Sequence, residues 1–305
     1  MHPHLINIMA PFRAKRQAET GLWSEGKIEN AQRHLDYLLF TPVWLARKPA
    51  LIVLLHGCRQ TAAEFAHATD MARLAALHGF LLCLPQQNLT ANPLRCWNWF
   101  DPRNQDTAGE AGLIMKVRDE LATEHGIAPS RVFVAGLSAG GSMAAILGRA
   151  FPQQIGAIGV HSGVPTGAAT TIIGAMHAME TGDAGDKGPG PMRTIVFHGL
   201  DDDVVASANG DRIAFAQALG RGRRFRIRQR SCRRFVIRPN GDHAAAEYWR
   251  VEELGHAWSG GQHGGSYADP LGPRASREML RFFLGYPRWR YPIVYAWLAF
   301  LSIFR

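Results

Sequence analysis

Short apolar runs alternate with helix-patterned segments along most of the chain. Such runs predict strands at 34–40, 51–55, 80–84, 131–135, 157–161 and 194–197. Apolar residues at helical spacing predict helices at 62–78, 110–125, 142–150, 211–219 and 276–284. Strands that alternate with helices pair in parallel, so the pattern predicts an α/β protein with a doubly wound, mostly parallel sheet and helices on both faces. Ligands of such sheets bind at the carboxyl ends of the strands.

The segments outside this alternation set the predicted domain limits. Residues 1–30 are polar and weakly patterned, which predicts a lead-in before a single α/β domain at 31–285. Within that domain, 164–191 is rich in Gly, Ala and Thr and predicts a cap or loop, whereas 235–238 and 246–251 predict a hairpin with an Asn-Gly turn.

The two chain ends carry no clear targeting pattern. No signal peptide is visible at the amino terminus, because its short apolar stretch precedes its basic residues. The apolar tail at 286–305 is shorter than the ~20 residues of a membrane-spanning helix. Three interpretations of the tail stay open: packing on the domain, contact with a membrane surface or partner, and a poorly ordered end.

The positive charge of the chain is concentrated in one stretch. The formal net charge is +9, from 34 Lys and Arg against 25 Asp and Glu. Nine arginines between Arg221 and Arg238 equal that excess, so the rest of the chain is near neutral. Arginines alternate there with Phe225 and Ile227, which predicts a strand with one charged face. A solvated edge strand is favoured over a polyanion-binding surface.

Four cysteines are present, and their spacing does not indicate a metal site. They are Cys58, Cys83, Cys96 and Cys232, and none forms a C-x-x-C pair. We therefore expect no zinc site and no other metal. Cys83 lies inside an apolar run and is predicted to be a buried thiol.

A G-x-S-x-G motif lies between a predicted strand and a predicted helix. It runs from Gly136 to Gly140 and has Ser138 at its centre. Strand, glycine-flanked serine and helix are typical of a nucleophile elbow, a turn so sharp that its flanking positions have no room for side chains. The motif alone arises by chance in about one chain in ten of this length, and such a turn can also hold a phosphate.

The partners of a nucleophilic serine follow it in the chain order acid, then histidine. Three histidines follow both Ser138 and the next acidic cluster: His243 in the predicted hairpin tip, His263 in a glycine-rich run, and His256 on a loop after a strand. We expect His256 to be the partner. The acid must come from Asp201–Asp203, and the position of the turn leaves both Asp202 and Asp203 as candidates.

Acyl transfer also needs donors for the oxyanion of its tetrahedral intermediate. The N–H of Ala139, directly after the nucleophile, is one expected donor. The N–H of Cys58, on the loop after strand 51–55, is the other, because Gly57 allows the backbone to approach closely.

Taken together, five motifs resemble one known family. They are Leu55–Gln60, Cys96–Phe100, Gly136–Gly141, the segment from His198 to Val205, and Gly255–Gly261. In this order they resemble the poly(3-hydroxybutyrate) depolymerase family of esterases, α/β-hydrolases related to feruloyl and acetyl-xylan esterases. The resemblance covers about residues 35–285.

The resemblance implies a serine ester hydrolase of the α/β-hydrolase fold that uses no metal or organic cofactor. The family spacing His-Gly-x-x-Asp-x-x-Val selects Asp202 over its neighbours, which completes a triad with Ser138 and His256. It also implies a Cys58–Cys96 disulfide and an extracellular or periplasmic location, although a cytoplasmic one stays open without a visible signal peptide.

The resemblance suggests substrates but does not choose among them. The expected substrates are short 3-hydroxyalkanoate oligomers or other small esters, with feruloyl or acetyl-xylan esters as the nearest alternative and peptides as a weaker one. His56, Trp97, Trp99 and Trp258 are candidates for an acyl pocket, and aromatic packing under the site is the alternative.

The alternative from another class is a non-catalytic protein that binds polyanions through Arg221–Arg238. We expect no nucleic-acid partner, and the sequence does not predict the oligomeric state.

Overall fold

The computed structural model describes residues 20–29, 33–182, 192–215, 222–238 and 244–286. The strands in these ranges are β1 (Gly21–Glu29), β2 (His34–Pro42), β3 (Leu51–Leu55), β4 (Leu81–Gln86), β5 (Val132–Leu137), β6 (Ala157–His161), β7 (Thr194–Gly199), β8 (Arg223–Ile227), β9 (Arg230–Ile237), β10 (Ala246–Val251), β11 (Trp258–Ser259) and β12 (Ala268–Asp269). The α-helices are α1 (Ala62–Thr69), α2 (Met71–His78), α3 (Gly109–Glu124), α4 (Ala139–Ala150), α5 (Ile172–Thr181), α6 (Ser207–Phe215) and α7 (Ala275–Phe283).

Ten of these strands form one sheet, in the order β1-β2-β4-β3-β5-β6-β7-β10-β9-β8. The six strands from β4 to β10 in that order are parallel to one another. Antiparallel strands extend the sheet on both sides, β2 and β1 at one edge and β9 and β8 at the other. The predicted α/β fold with a mostly parallel sheet is confirmed.

Helices cover both faces of the sheet because its central strands are apolar on both sides. In β3, Leu51, Val53 and Leu55 belong to one core cluster, whereas Ile52 and Leu54 belong to the other. Residues of α3 to α6 pack into the first cluster, and residues of α1, α2 and α7 pack into the second. Burial on both faces explains why the parallel strands are nearly continuous apolar runs in the sequence.

The predicted lead-in at 1–30 is too long, because β1 occupies residues 21–29 and pairs with β2 along its whole length. The sequence of β1 did not predict a strand, because this edge strand is largely exposed and contains two glycines. It therefore has little of the apolar alternation that marks a strand.

The predicted helix at 62–78 is two helices. Asp70, with φ of 54°, lies in the left-handed region and separates α1 from α2. The apolar spacing continues across the break, so periodicity alone could not locate it. The segment at 164–191, predicted as a cap or loop, contains α5.

The arginine-rich stretch forms a hairpin instead of one strand. β8 and β9 are joined by a turn at Arg228, whose φ is 54°. β8 is the outermost strand of the sheet, in accord with the predicted edge position. The Asn-Gly turn, His243 and the apolar tail after residue 286 lie outside the described residues. No helix in the described part of the chain is long and apolar enough to cross a membrane.

Candidate active site

The turn between β5 and α4 has the geometry of a nucleophile elbow. Ser138 lies at φ 57° and ψ −121°, and α4 begins at the next residue. A Cβ at Gly136 would lie 2.4 Å from the backbone of Gly140, and one at Gly140 would lie 2.2 Å from the carbonyl oxygen of Leu55. Side chains at these two positions would force the strand, the helix and the loop after β3 apart, so the turn requires both glycines.

The loop after β3 lies against this elbow. A Cβ at Gly57 would be 3.5 Å from the Cβ of Ser138. The N–H of Gly57 donates to Oε1 of Gln60 at 2.9 Å and is therefore not free for a ligand. The next N–H, that of Cys58, remains as the donor this loop can offer, and Ala139 offers the first N–H of α4 from the other side. The assignment of these two N–H groups as oxyanion donors stays a prediction.

Buried polar contacts hold the loop after β3 in place. His56 donates from Nδ1 to the carbonyl oxygen of Gly57 at 2.8 Å, and its Nε2 accepts the N–H of Gln87 at 3.1 Å. Burial lowers the pKa of His56 to about 4, which keeps the ring neutral and able to accept that N–H. The Cys58–Cys96 disulfide implied by the resemblance is present and ties the loop to the segment that follows residue 96.

A buried carboxylate supports this second segment. Glu110 accepts hydrogen bonds from Nε2 of Gln87 at 2.8 Å and from Nδ2 of Asn98 at 2.6 Å. Burial raises the pKa of Glu110 despite these donors. The sequence does not mark Glu110 as a site residue, because a single acid early in a helix ordinarily faces solvent.

Of the three adjacent carboxylates after β7, only Asp202 is buried; Asp201 and Asp203 are exposed. Oδ2 of Asp202 lies 2.9 Å from Nδ1 of His256, and its Oδ1 accepts the N–H of Val205 at 2.8 Å. Burial acts to raise the pKa of Asp202, but the hydrogen bond and charge interaction with His256 outweigh it and lower the pKa to about 2. The carboxylate therefore stays ionised beside the imidazole.

His161, which is not among the predicted site residues, connects the elbow to the loop that contains His256. Its carbonyl oxygen accepts the N–H of Ser138 at 2.9 Å. Its ring Nε2 accepts the N–H of Ser259, three residues after His256, also at 2.9 Å. The ring stacks between Phe197 and Trp258, with centroids 5.8 Å and 5.1 Å away. Burial is the main reason that its pKa falls to about 3. The only signal in the sequence was its place at the end of a predicted strand.

A second histidine that is not among the predicted site residues lies beside Asp202. His198, fully buried, donates from Nε2 to the carbonyl oxygen of Val205 at 2.8 Å, and the same nitrogen lies 3.6 Å from Oδ2 of Asp202. The contact closes the turn that presents Asp202.

The four residues considered for an acyl pocket are buried. His56, Trp97 and Trp258 are 0% exposed and Trp99 is 6% exposed. The indole N–H groups of Trp97 and Trp258 donate to the carbonyl oxygen of His56 and to Oγ of Ser276. Burial with satisfied donors favours aromatic packing beneath the site. Tyr267, 40% exposed with its ring centroid 6.4 Å from that of His256, is an aromatic side chain that does face solvent there.

The three predicted side chains therefore come from loops after β5, β7 and β10, which end at the same edge of the sheet. A serine on an elbow, an imidazole oriented by a buried carboxylate and two backbone N–H donors are the components of acyl transfer. The described residues hold no group of three or more His, Cys, Asp or Glu side chains placed to bind a metal ion.

Acidification should destabilise this fold because two of its buried histidines stay neutral. The pKa values of His56 and His161 lie at about 4 and about 3, below the usual 6.5, so the unfolded chain binds protons first as the pH falls. From pH 7 to pH 5 the free energy of unfolding should fall by roughly 2 kcal/mol for each. Urea unfolding midpoints at the two pH values measure this fall.

His161→Gln can still accept the N–H of Ser259 and should reduce this pH dependence. The exposed His263 provides the control, since His263→Gln should leave the pH dependence unchanged. Equal midpoints for the wild type at pH 7 and pH 5 would contradict the prediction.

Proteins of known name share part of this sequence. Poly(3-hydroxyalkanoate) depolymerase C of Paucimonas lemoignei is 32% identical over 192 residues, which are 58% of this chain and 46% of that protein. Feruloyl esterase B of Neurospora crassa is 32% identical over 189 residues, which are 54% of this chain and 63% of that protein. The chain thus spans about half the length of these curated relatives.

Solved structures share the fold. An acetyl xylan esterase from Aspergillus awamori superposes with a TM-score of 0.61 at 17% identity, covering 76% of this chain and 94% of that one. A puromycin-hydrolysing peptidase of Mycobacterium tuberculosis superposes with a TM-score of 0.57 at 14% identity, covering 87% of this chain and 39% of that one. At these identities the likeness shows the fold, which serves ester and peptide hydrolysis alike in these two proteins.

The family model described as esterase PHB depolymerase matches residues 35–221 of this 305-residue chain. The match includes the elbow, the loop after β3 and the buried Asp202. The chain belongs to the PHB depolymerase family of esterases.

Proposed function

We propose that the protein is a serine carboxylic-ester hydrolase that works through an acyl-enzyme. The observation that carries this proposal is the pairing of the buried Asp202 with His256, 2.9 Å apart, at the edge of the sheet where the elbow presents Ser138. A glycine-rich turn that held a phosphate would not need an imidazole oriented by a carboxylate.

The proposed reaction has two halves. Nε2 of His256 accepts the proton of Ser138 as Oγ attacks the ester carbonyl, and the N–H groups of Cys58 and Ala139 bind the resulting oxyanion. The intermediate collapses, the C–O bond to the alcohol breaks, and His256 gives its proton to the leaving alcohol. Water, deprotonated by His256, then attacks the acyl-enzyme and releases the carboxylic acid together with free Ser138. Asp202 stays ionised throughout and stabilises the imidazolium.

The proposed substrates are hydroxyalkanoate oligomers or other short-chain esters, because the 32% identical relative carries the name of a poly(3-hydroxyalkanoate) depolymerase. Feruloyl and acetyl-xylan esters are the second candidates, since relatives of those names match over a similar part of the chain. The disulfide supports an extracellular or periplasmic location, where such bonds persist.

A hydrolysis panel tests the proposal. Purified protein is assayed on p-nitrophenyl esters of increasing chain length, soluble hydroxybutyrate oligomers, methyl ferulate and acetylated xylan. A fluorophosphonate, which reacts with activated serines, should modify Ser138 with loss of turnover, and the preferred ester identifies the substrate class. A folded protein that hydrolyses none of these esters and resists the reagent would overturn the proposal.

The polyanion-binding alternative has weaker support. Carboxylates neutralise several arginines of the β8–β9 hairpin: Arg224 pairs with Glu252, Arg230 with Asp269, and Arg234 with the buried Glu247. These ion pairs reduce the net positive charge of the hairpin and therefore its attraction for a polyanion, as expected of a solvated edge hairpin.

Removing the disulfide should weaken both stability and turnover. In Cys58→Ser with Cys96→Ser, the chain-entropy model predicts a loss of about 4 kcal/mol for a loop of sequence separation 38. Turnover should fall by up to about 10²-fold, because the N–H of Cys58 loses its fixed position. Urea unfolding and kcat measure the two effects.

Dithiothreitol provides the matching control. The other two cysteines, Cys83 and Cys232, are buried and lie outside this disulfide, so the reductant should lower the unfolding midpoint of the wild type and leave that of the double variant unchanged. A double variant as stable as the oxidised wild type would contradict the prediction.

A further inference from the structure

Tyr267 combines three features at the candidate active site. Its side chain is 40% exposed, its ring lies edge-on to the ring of His256 with centroids 6.4 Å apart, and its φ is 48°. An exposed aromatic ring alone is common on protein surfaces. A bulky residue in the left-handed region is rare, because its Cβ comes too close to the carbonyl oxygen that follows. Such strained residues concentrate at functional sites.

The backbone around Tyr267 is fixed by two hydrogen bonds from different loops. Its carbonyl oxygen accepts the N–H of Trp258 at 2.7 Å, and the carbonyl oxygen of the preceding Ser266 accepts Nε2 of Gln60 at 2.9 Å. Gln60 is buried, and its Oε1 accepts the N–H of Gly57. The segment that carries the ring is therefore connected to the loop after β3 as well as to the loop after β10.

The glycine-rich segment before Tyr267 packs against α1. The N–H of Gln262 donates to the carbonyl oxygen of Ala68 at 2.9 Å, and a Cβ at Gly265 would lie 2.9 Å from the Cα of Ala68. Directly after Tyr267, β12 pairs with β11. These contacts hold the strained backbone in place and fix the direction in which the side chain leaves it.

Core packing does not explain why a tyrosine occupies this position. Among the described residues, Tyr267 belongs to neither core cluster and is not one of the partly buried apolar side chains packed against them. A glycine or an asparagine would adopt the left-handed backbone at lower cost. The exposed ring beside His256 is therefore the feature that calls for a role.

The orientation of His256 indicates which part of an ester would meet this ring. Nδ1 of His256 lies 2.9 Å from Oδ2 of Asp202, so Nε2 is the nitrogen left to exchange a proton with Ser138 and with the leaving oxygen. The leaving oxygen must come within hydrogen-bond distance of Nε2. The alcohol part of the ester therefore lies beside the imidazole, whereas the acyl carbon and its oxyanion lie at the elbow.

Two more partly exposed apolar side chains belong to the turn that presents Asp202. They are Leu200 and Val204, which are 43% and 42% exposed, and the N–H of Val204 donates to Oδ1 of Asp202 at 3.1 Å. Together with Tyr267 they give the loops around His256 an apolar surface. An alcohol with a carbon skeleton larger than methyl would gain from contact with such a surface.

We propose that Tyr267 is a specificity-determining residue that contacts the alcohol part of the ester and favours alkyl or aryl alcohols large enough to cover its ring. A phenol ring suits this role, since it offers a large apolar face while its hydroxyl stays in water. The proposal rests on the proposed ester hydrolysis, because the contact lies beside the nitrogen that protonates the leaving oxygen.

Two ester series separate contacts to the alcohol from contacts to the acyl group. The first keeps the acetyl group and changes the alcohol, in methyl, butyl and benzyl acetate. The second keeps methanol and changes the acid, in methyl acetate, methyl butyrate and methyl hexanoate. Acid release at constant pH gives kcat/KM for the wild type, Tyr267→Phe and Tyr267→Asn. Because asparagine tolerates the left-handed region, Tyr267→Asn removes the ring without adding backbone strain.

In Tyr267→Asn, the ratio of kcat/KM for benzyl acetate to that for methyl acetate should fall about tenfold, the lower end of what one methylene group contributes in a hydrophobic pocket. The ratios in the acyl series should not change. Tyr267→Phe keeps the ring and should keep the wild-type ratios. Leu22→Ala removes an exposed apolar side chain from the edge strand β1 and should match the wild type in both series.

The ratios also distinguish specificity from positioning. A ring that only oriented His256 would lower kcat/KM by the same factor for every ester, because the imidazole acts on all of them. A uniform loss, an unchanged benzyl-to-methyl ratio, or a change confined to the acyl series would overturn the proposal.

Binding without turnover separates this proposal from that of the hydrolase. NMR titrations compare Ser138→Ala with Ser138→Ala combined with Tyr267→Asn. The double variant should bind benzyl acetate more weakly and methyl acetate equally well. Equal affinity for benzyl acetate would refute the contact even in an active esterase. Weaker binding by the double variant, together with hydrolysis that survives Ser138→Ala, would contradict the proposed mechanism and support the contact.

Discussion

Ser138→Ala is expected to lower kcat/KM for ester hydrolysis by roughly 10⁴- to 10⁶-fold, the range in which removal of a triad nucleophile falls. The alanine variant cannot form the acyl-enzyme, while the backbone N–H groups that bind the oxyanion stay in place. Ser138 is 8% exposed and its backbone N–H still bonds to His161, so the fold should be retained. The best ester from the hydrolysis panel is the substrate, and circular dichroism checks folding.

The exposed Ser130, at the opposite end of β5, provides the control. Ser130→Ala should hydrolyse the ester at the wild-type rate. Alanine keeps the Cβ of Ser138, so the backbone strain at its positive φ is unchanged in the variant, and a stability change cannot account for a complete loss of turnover. Wild-type turnover by Ser138→Ala would show that another residue is the nucleophile and would remove the basis of the proposed mechanism.

The strands that the sequence predicts most accurately are those buried on both faces of the sheet. β3 and β6 agree with their predicted limits, 51–55 and 157–161, because every residue in them is buried. β1 was missed because it has one neighbouring strand and a largely exposed composition. The break at Asp70 was missed because a residue in the left-handed region interrupts the hydrogen bonds of a helix without changing the apolar spacing around it.

The candidate site was predictable where chemistry constrains the local sequence. The elbow needs glycines at fixed positions around Ser138, so it is visible in the sequence. The supporting residues His161 and Glu110 act through contacts between distant segments, and nothing in their own neighbourhoods marks them. His198 contacts Val205 close to it in the chain, and both residues belong to the family spacing around Asp202. Choosing Asp202 over Asp203 needed the family spacing, and burial of one carboxylate in three is the physical reason for that choice.

Asp202→Asn is expected to lower kcat on the order of 10⁴-fold with little change in KM. The asparagine is close to the same shape, and its carbonyl oxygen can still accept the N–H groups of Val204 and Val205. Its NH₂ group would then face Nδ1 of His256 and donate to it. The ring would carry its proton on Nε2 and could not accept the proton of Ser138. Steady-state kinetics on the preferred ester measure the loss.

The adjacent acids make this a matched experiment. Asp201→Asn and Asp203→Asn remove the same charge from exposed neighbours and should leave kcat within about twofold of the wild type, because exposed charges interact weakly through water.

The wild-type pH profile adds a second criterion. The pKa of Asp202 is about 2, below the usual 3.8, so its charge and its contribution to stability persist until the pH falls below 3.8 towards 2. Loss of activity at higher pH must come from another group. Full activity in Asp202→Asn together with an inactive Asp203→Asn would show that Asp203 is the acid of the triad. The buried Asp202 would then contribute only to the stability of the fold.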